Sequence, residues 1–164
     1  GHASSDESAR RHGVALLGPN CLGVMNLRER MFATFSPIPL TGVPPAGDVG
    51  LVSQSGAFGA YAFALAREAG LGLSHWVTTG NEAGLQVADV IEWMAQDKDT
   101  RVILAYMEGC RDGARLRHFL LEKSRVVRCL PTANSLQLPL SLCLFRWPGR
   151  GLYILCNGWR QGRL

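Results

Sequence analysis

The chain lacks any apolar run long enough to cross a bilayer; its longest candidate, Leu136 to Phe145, is short and broken by Pro139. Its first residues, Gly1-His2-Ala3-Ser4-Ser5-Asp6-Glu7, contain no apolar stretch of the kind a secretory leader needs. A soluble, cytoplasmic protein with no membrane partner is expected. An initiator Met is also missing, so the natural chain is expected to begin further upstream. The five cysteines, Cys21, Cys110, Cys129, Cys143 and Cys156, show no paired metal-ligand spacing, and their odd number argues against a disulfide framework. His2, His12, His75 and His118 show neither triad nor metal spacing, so no metal site is expected. The phosphate loop Gly-x-x-x-x-Gly-Lys-Ser/Thr does not occur, nor does the dinucleotide spacing Gly-x-Gly-x-x-Gly at the Ser53 turn. Neither ATP nor NAD is therefore expected to bind in this chain.

Charge is sparse and unevenly placed. Residues 1–109 carry 7 basic and 11 acidic side chains, whereas residues 110–164 carry 10 basic and 2 acidic ones. The overall +4 thus belongs to the C-terminal part, and no basic or aromatic motif accompanies it, so nucleic acid is not expected as a partner. From Ser124 onward there is no Asp or Glu, and three of the five cysteines fall there. A domain over residues 10–122 followed by an atypical tail over 123–164 is the expected organisation. A frame change, read-through or divergence near Glu122–Cys129 would account for the shift.

What the chain does have is alternation. Val14–Leu17, Val49–Ser53, Leu73–Val77 and Val102–Met107 are short apolar runs that read as buried strands. Between them lie an irregular, proline-rich excursion from Leu27 to Pro45, a helix from about Gly56 to Glu68, and a helix to about Gln96. The second helix carries Val87, Val90, Ile91 and Met94 on one face. A last helix is expected over about Asp112–Glu122. Continuous apolar strands separated by helices predict an α/β domain of three layers, a mainly parallel sheet with helices on both faces. Ligands of such sheets sit beyond the carboxyl ends of the strands. The loops Gly18–Gly23, Ser53–Gly56, Thr78–Gly84 and Glu108–Gly109 should therefore share one edge.

Ser53-Gln54-Ser55-Gly56 joins a buried strand to a helix. Hydroxyls and free first-turn amides there, with the positive end of the helix dipole, favour an anion such as a phosphoryl group. Ser55 as a simple helix cap is the competing reading. Gly56-Ala57-Phe58-Gly59 suggests close packing where the helix leaves the sheet. Glu108, at a strand end, could orient an imidazole or hold a proton, or be a solvated strand end. Cys21 is either a nucleophile or a small packed side chain. His75, within a strand, reads as packed.

Four segments then occur in order: Gly18-Pro19-Asn20-Cys21-Leu22-Gly23-Val24, Val49-Gly50-Leu51-Val52-Ser53-Gln54-Ser55-Gly56, Gly80-Asn81-Glu82 with Asp89-Val90-Ile91-Glu92, and Tyr106-Met107-Glu108-Gly109. Together they resemble the second domain of the succinyl-CoA synthetase α subunit and the ADP-forming acetyl-CoA synthetases. The resemblance implies that the three-layer α/β domain is flavodoxin-like, and it implies a ligase that makes acyl-CoA from acid, CoA and ATP through a phosphohistidine. It implies that Ser53, Ser55, Gly56 and Ala57 steady the phosphoryl group and that Glu108 hydrogen-bonds the histidine ring. It places Gly18, Pro19, Asn20, Cys21, Gly80, Asn81 and Glu82 around the acyl group and the CoA thiol. For the complete parent it implies CoA and ATP/ADP with Mg, a CoA-binding Rossmann domain, ATP-grasp domains or subunits, and self-association. None of the four histidines matches the family's phosphorylated one, so the chain alone is expected to be inactive. A regulatory domain like that of some protein lysine acetyltransferases, or a plain interaction domain, is the alternative.

Overall fold

The computed structural model describes residues 7–9, 11–123, 126–131, 140–147 and 150–157. Its elements are β1 (Gly23–Asn26), β2 (Met31–Thr34), a 3-10 turn (Ile38–Thr41), β3 (Ala46–Ser53), α1 (Gly56–Glu68), β4 (Leu73–Thr78), α2 (Val87–Gln96), β5 (Val102–Met107), α3 (Gly113–Lys123), β6 (Val126–Pro131), β7 (Leu140–Trp147) and β8 (Arg150–Asn157). They build one eight-stranded sheet in the order β2-β1-β4-β3-β5-β8-β7-β6. The centre, β4-β3-β5-β8, is parallel, and the strands at both margins pair antiparallel.

The central strands are apolar on both sides because both faces are covered. Leu51 and Trp76 point one way, Val52 and Val77 the other, as a period of two requires. On the first face α1 lays Phe63 and Ala66 onto Met25, Leu51, Leu73 and Trp76. The Phe63 and Trp76 rings meet edge to face with centroids 5.9 Å apart, and Trp76 Nε1 donates to the Gly59 carbonyl at 2.8 Å. On the second face α2 buries Val87, Val90, Ile91 and Met94, the four residues of its apolar stripe, and α3 adds Leu116 and Leu120. Burying one such aliphatic or aromatic side chain contributes about 1.5–3 kcal/mol, so each helix is held by its stripe rather than by propensity.

Two stretches differ from the reading of the sequence. Val14–Leu17 is not a strand: the segment has no regular secondary structure, Val14 is 59% exposed, and Leu16 accepts a bond from the Leu85 amide at 2.8 Å. The place beside β4 is taken by β1, which pairs Val24 with Val77. Leu27–Pro45 is less irregular than its prolines suggest, since it holds β2. The β1–β2 hairpin turns on Asn26, whose Oδ1 accepts the amides of Arg28 and Glu29 at 3.1 and 3.0 Å. That is the side-chain mimic of a backbone turn that Asn makes well. Beyond residue 123, β8 pairs parallel with β5, and β7 and β6 continue the same sheet.

Candidate functional site at the carboxyl edge of the sheet

β3 ends at Ser53, which is wholly buried and donates from Oγ to the Ser55 carbonyl at 2.6 Å. That bond folds the turn so that Ser55, in extended conformation, becomes the N-cap of α1 and accepts the Phe58 amide at 3.2 Å. The cap satisfies one first-turn donor; the Gly56 and Ala57 amides precede any intrahelical acceptor and remain available. Gly59 lets the helix seat against the sheet, for a Cβ there would come within 2.7 Å of Thr78 Cγ2 and 3.2 Å of Ser53 Cβ. The Phe58 and Tyr106 rings stack at 4.1 Å, fastening the helix start to β5.

The Gly18–Gly23 loop is tied to the end of β4. Thr78 Oγ1 accepts the amides of Leu22 and Gly23 at 2.7 and 3.1 Å, and Pro19 accepts the Asn81 amide at 2.8 Å. Gly80 has a φ of +61°, and a Cβ on it would stand 2.3 Å from the Pro19 carbonyl oxygen, so only glycine allows the two loops this approach. Asn20 Nδ2 donates to Asn81 Oδ1 at 3.2 Å, and Arg111 donates to the Asn81 carbonyl at 2.9 Å. At the end of β5 the Glu108 and Gly109 amides donate to Gln54 Oε1.

These loops enclose an open cleft of about 340 Å³. Ser55, Gly56 and Ala57 line it together with Glu108, Asn20, Cys21, Gly80 and Asn81. Four of the residues singled out in the sequence do not reach it. Ser53 lies beneath the turn. Gly18 and Pro19 supply backbone acceptors behind the loop. Glu82 is 3% exposed, and its Oε1 accepts from Thr79 Oγ1 and from the Val87 amide, both at 2.9 Å. Its carboxylate thus caps α2, a structural post that leaves little for a substrate. Cys21 is half-buried with only a long contact, 3.8 Å, to the Leu17 carbonyl.

Leu22, within the Gly18–Gly23 turn, lines the cleft too, as do Gln54 and Phe35, which were not among the expected site residues. Gln54 lies within Ser53-Gln54-Ser55-Gly56, yet nothing in that spacing announces that its side chain spans to the end of β5. Phe35 comes from the excursion and is 79% exposed at the rim; local periodicity carries no signal for it. No cleft residue among those described is a histidine. His75 sits toward the other edge, packed against the Trp93 ring at 4.7 Å. Burial pushes its pKa below the ordinary 6.5, overcoming the attraction of Asp97 and Asp99. Burial likewise raises the Cys110 thiol. Among the described residues no three His, Cys, Asp or Glu side chains converge as a metal site would need, and no helix is long and apolar enough to cross a membrane.

The chain is similar in sequence and fold to known proteins. Residues 46–128 match the family model described as the succinyl-CoA ligase like flavodoxin domain. An ADP-forming acetate–CoA ligase I of Archaeoglobus fulgidus is 42% identical over 125 residues, 76% of this chain and 17% of that protein. The α subunit of ADP-forming acetate–CoA ligase I from Pyrococcus furiosus is 41% identical over 119 residues, 73% of this chain and 25% of that one. The dinucleotide-forming acetyl-coenzyme A synthetase 1 of Ca. Korarchaeum cryptofilum, solved with phosphate and ADP, superposes with a TM-score of 0.64 at 34% identity, covering 73% of this chain and 25% of that chain. The chain therefore spans a quarter or less of the length of these relatives. The strand–turn–helix at Ser53, the β5 end at Glu108 and the sheet between them all fall inside the matched residues, and the chain belongs to the succinyl-CoA ligase-like flavodoxin domain family.

Proposed function

We propose that this chain is the part of an ADP-forming acyl-CoA synthetase that receives a phosphorylated histidine, and that the cleft at the carboxyl edge is where it does so. The observation that carries this reading is the meeting of two unlike elements on one cleft: the start of α1 at Ser55–Ala57 and the carboxylate-bearing turn at Glu108. Free helix amides suit the oxygens of a phosphoryl group, and the dipole adds to their attraction. A carboxylate suits the N–H of an imidazole; by holding one ring nitrogen it leaves the other as the one that carries phosphate. Arranged in advance, both groups stabilise charge where it develops, without reorganisation at the moment of transfer. Asn20, Cys21, Gly80 and Asn81 form the wall against which the acyl group and the CoA thiol would meet the phosphate.

The histidine itself, the CoA-binding domain and the ATP-grasp portion belong to the rest of the parent or to partner subunits in this reading. The activity, CoA and ATP/ADP with Mg, self-association and a cytoplasmic setting are properties of that whole. Labelling the full-length parent with ATP bearing a radioactive γ-phosphate tests it. An acid-labile, histidine-linked label is expected, and Glu108→Gln should lower its rate of formation about tenfold or more. A parent that takes up no such label would overturn the reading and favour a regulatory domain built on the same fold.

A further inference from the structure

Two backbone donors converge on one side-chain atom beside the cleft. The amides of Glu108 and Gly109 lie 2.6 and 2.9 Å from Gln54 Oε1. Two N–H groups require an acceptor, so the carboxamide presents its oxygen there and not its nitrogen. Gln54 is itself anchored by its main chain: its amide donates to the Tyr106 carbonyl at 3.0 Å, and its carbonyl accepts the Gly80 amide at 3.1 Å. The residue next to the N-cap of α1 thus touches the ends of both neighbouring parallel strands. Packing does not hold the turn it grips. Glu108 and Gly109 are exposed, and a Cβ built on Gly109 would meet nothing within 4 Å. The Phe58–Tyr106 stack ends two residues short of Glu108.

We infer that Gln54 is the positioning residue of the cleft: its carboxamide oxygen pins the Glu108–Gly109 turn and so sets the spacing between the Glu108 carboxylate and the Gly56–Ala57 amides. The pin stands on the geometry alone; its consequence for ligand binding rests on the phosphohistidine reading. Because Oε1 is committed to the Glu108–Gly109 turn, Nε2 is left free of it. It donates to no described residue, and no buried polar side-chain atom among the described residues lacks a partner, so Nε2 is accessible on a residue that lines the cleft. Substituting Glu keeps an acceptor for the two amides, whereas Met keeps the length and removes it.

The test uses the ¹⁵N-labelled chain as wild type, Gln54→Met and Gln54→Glu, with N-phosphoimidazole as the probe. Hydrogen exchange at Glu108 and Gly109 is expected to be slow in wild type and in Gln54→Glu. In Gln54→Met it should be about fivefold faster, with Leu104 and Ala105 unchanged, as befits one net hydrogen bond. The wild-type Gly56 and Ala57 resonances should shift on adding the probe, and Gln54→Met should weaken its binding about fivefold. Gln54→Glu is read by exchange alone, since its charge repels a phosphoryl group. Unchanged exchange in Gln54→Met, or equal acceleration in Gln54→Glu, overturns the pin. Should Gln54→Met not fold, fast exchange of these two amides in wild type overturns it instead. A wild type that shows the pin but does not bind the probe sinks the phosphohistidine reading and leaves the pin standing. A wild type that binds the probe, with Gln54→Met binding equally well, sinks the functional role of the pin.

Discussion

The two ends of the central strands both carry polar clusters, and they are built on opposite principles. At the amino end, Ser74, Thr100, His75 and Asp97 close on one another: Thr100 Oγ1 lies 2.8 Å from Ser74 Oγ and donates to Asp97 Oδ2 at 2.6 Å, and His75 Nδ1 stands 3.5 Å from Asp97 Oδ2. Ser74, His75 and Thr100 are buried, and the shorter of these bonds satisfy each other. At the carboxyl end, the α1 first-turn amides and the Glu108 carboxylate face an open cleft. A histidine with an acid and hydroxyls beside it looks more like chemistry than an isolated glutamate does. Saturation and burial reverse that judgement: groups that have spent their hydrogen bonds on each other hold the fold, and groups left unspent at a cleft can meet a ligand.

The contrast can be broken or sharpened by substitution. The largest effect is expected from Gly80→Ala, which forces a Cβ against the Pro19 and Asn20 carbonyls at a positive φ. A loss of about 2–4 kcal/mol in urea unfolding is expected, from backbone strain and overpacking together. A loss below about 1 kcal/mol would mean the cleft loops are joined less tightly than their bonds imply. Next comes Thr100→Val, which keeps the shape and strips Ser74 and Asp97 of their shared partner. Destabilisation of about 1–3 kcal/mol is expected, and a neutral result would show that the amino-end cluster is not structural after all. Ser55→Ala should cost about 1 kcal/mol as a lost N-cap, measured by thermal unfolding. A cost near zero would free Ser55 from its capping role and leave it wholly to the cleft.

The smallest effect is a pH slope. With its folded pKa depressed by burial, His75 contributes stability that is complete above its ordinary 6.5 and is lost as pH falls through the folded value, because the unfolded chain then binds the extra proton. The urea midpoint should fall between about pH 7 and about pH 5, and more steeply in wild type than in His75→Gln. Equal slopes would show that His75 is not held neutral by its surroundings.

Much of the frame was legible in the chain. The span of α1, the end of α2 and the span of β5 are as the sequence pattern predicts, and the apolar stripe Val87, Val90, Ile91 and Met94 is buried throughout. The gathering of the Ser53, Thr78 and Glu108 loops at one edge followed from strand direction, whereas the Gly18–Gly23 loop reaches that edge without a strand before it among the described residues. Val14–Leu17 shows the limit: its residues suit a strand, yet Gly23–Asn26 occupies the position beside β4. Glu82 shows another, since a carboxylate in a loop motif looks identical whether it faces a ligand or caps a helix.

The amino-acid sequence by itself determined the alternation of buried strands and striped helices, because side-chain periods of two and about 3.6 are local properties of the chain. Only the tertiary structure decided which segment joins the sheet beside β4, that Gln54 grips the Glu108 turn, and that Glu82 is spent inside while Glu108 is left at the cleft. The first two depend on competition for one strand position and on hydrogen-bond partners about fifty residues apart, and neither leaves a mark in a short window of sequence. Glu82 finds its partners nearby, in Thr79 and Val87, so only its burial tells it from Glu108.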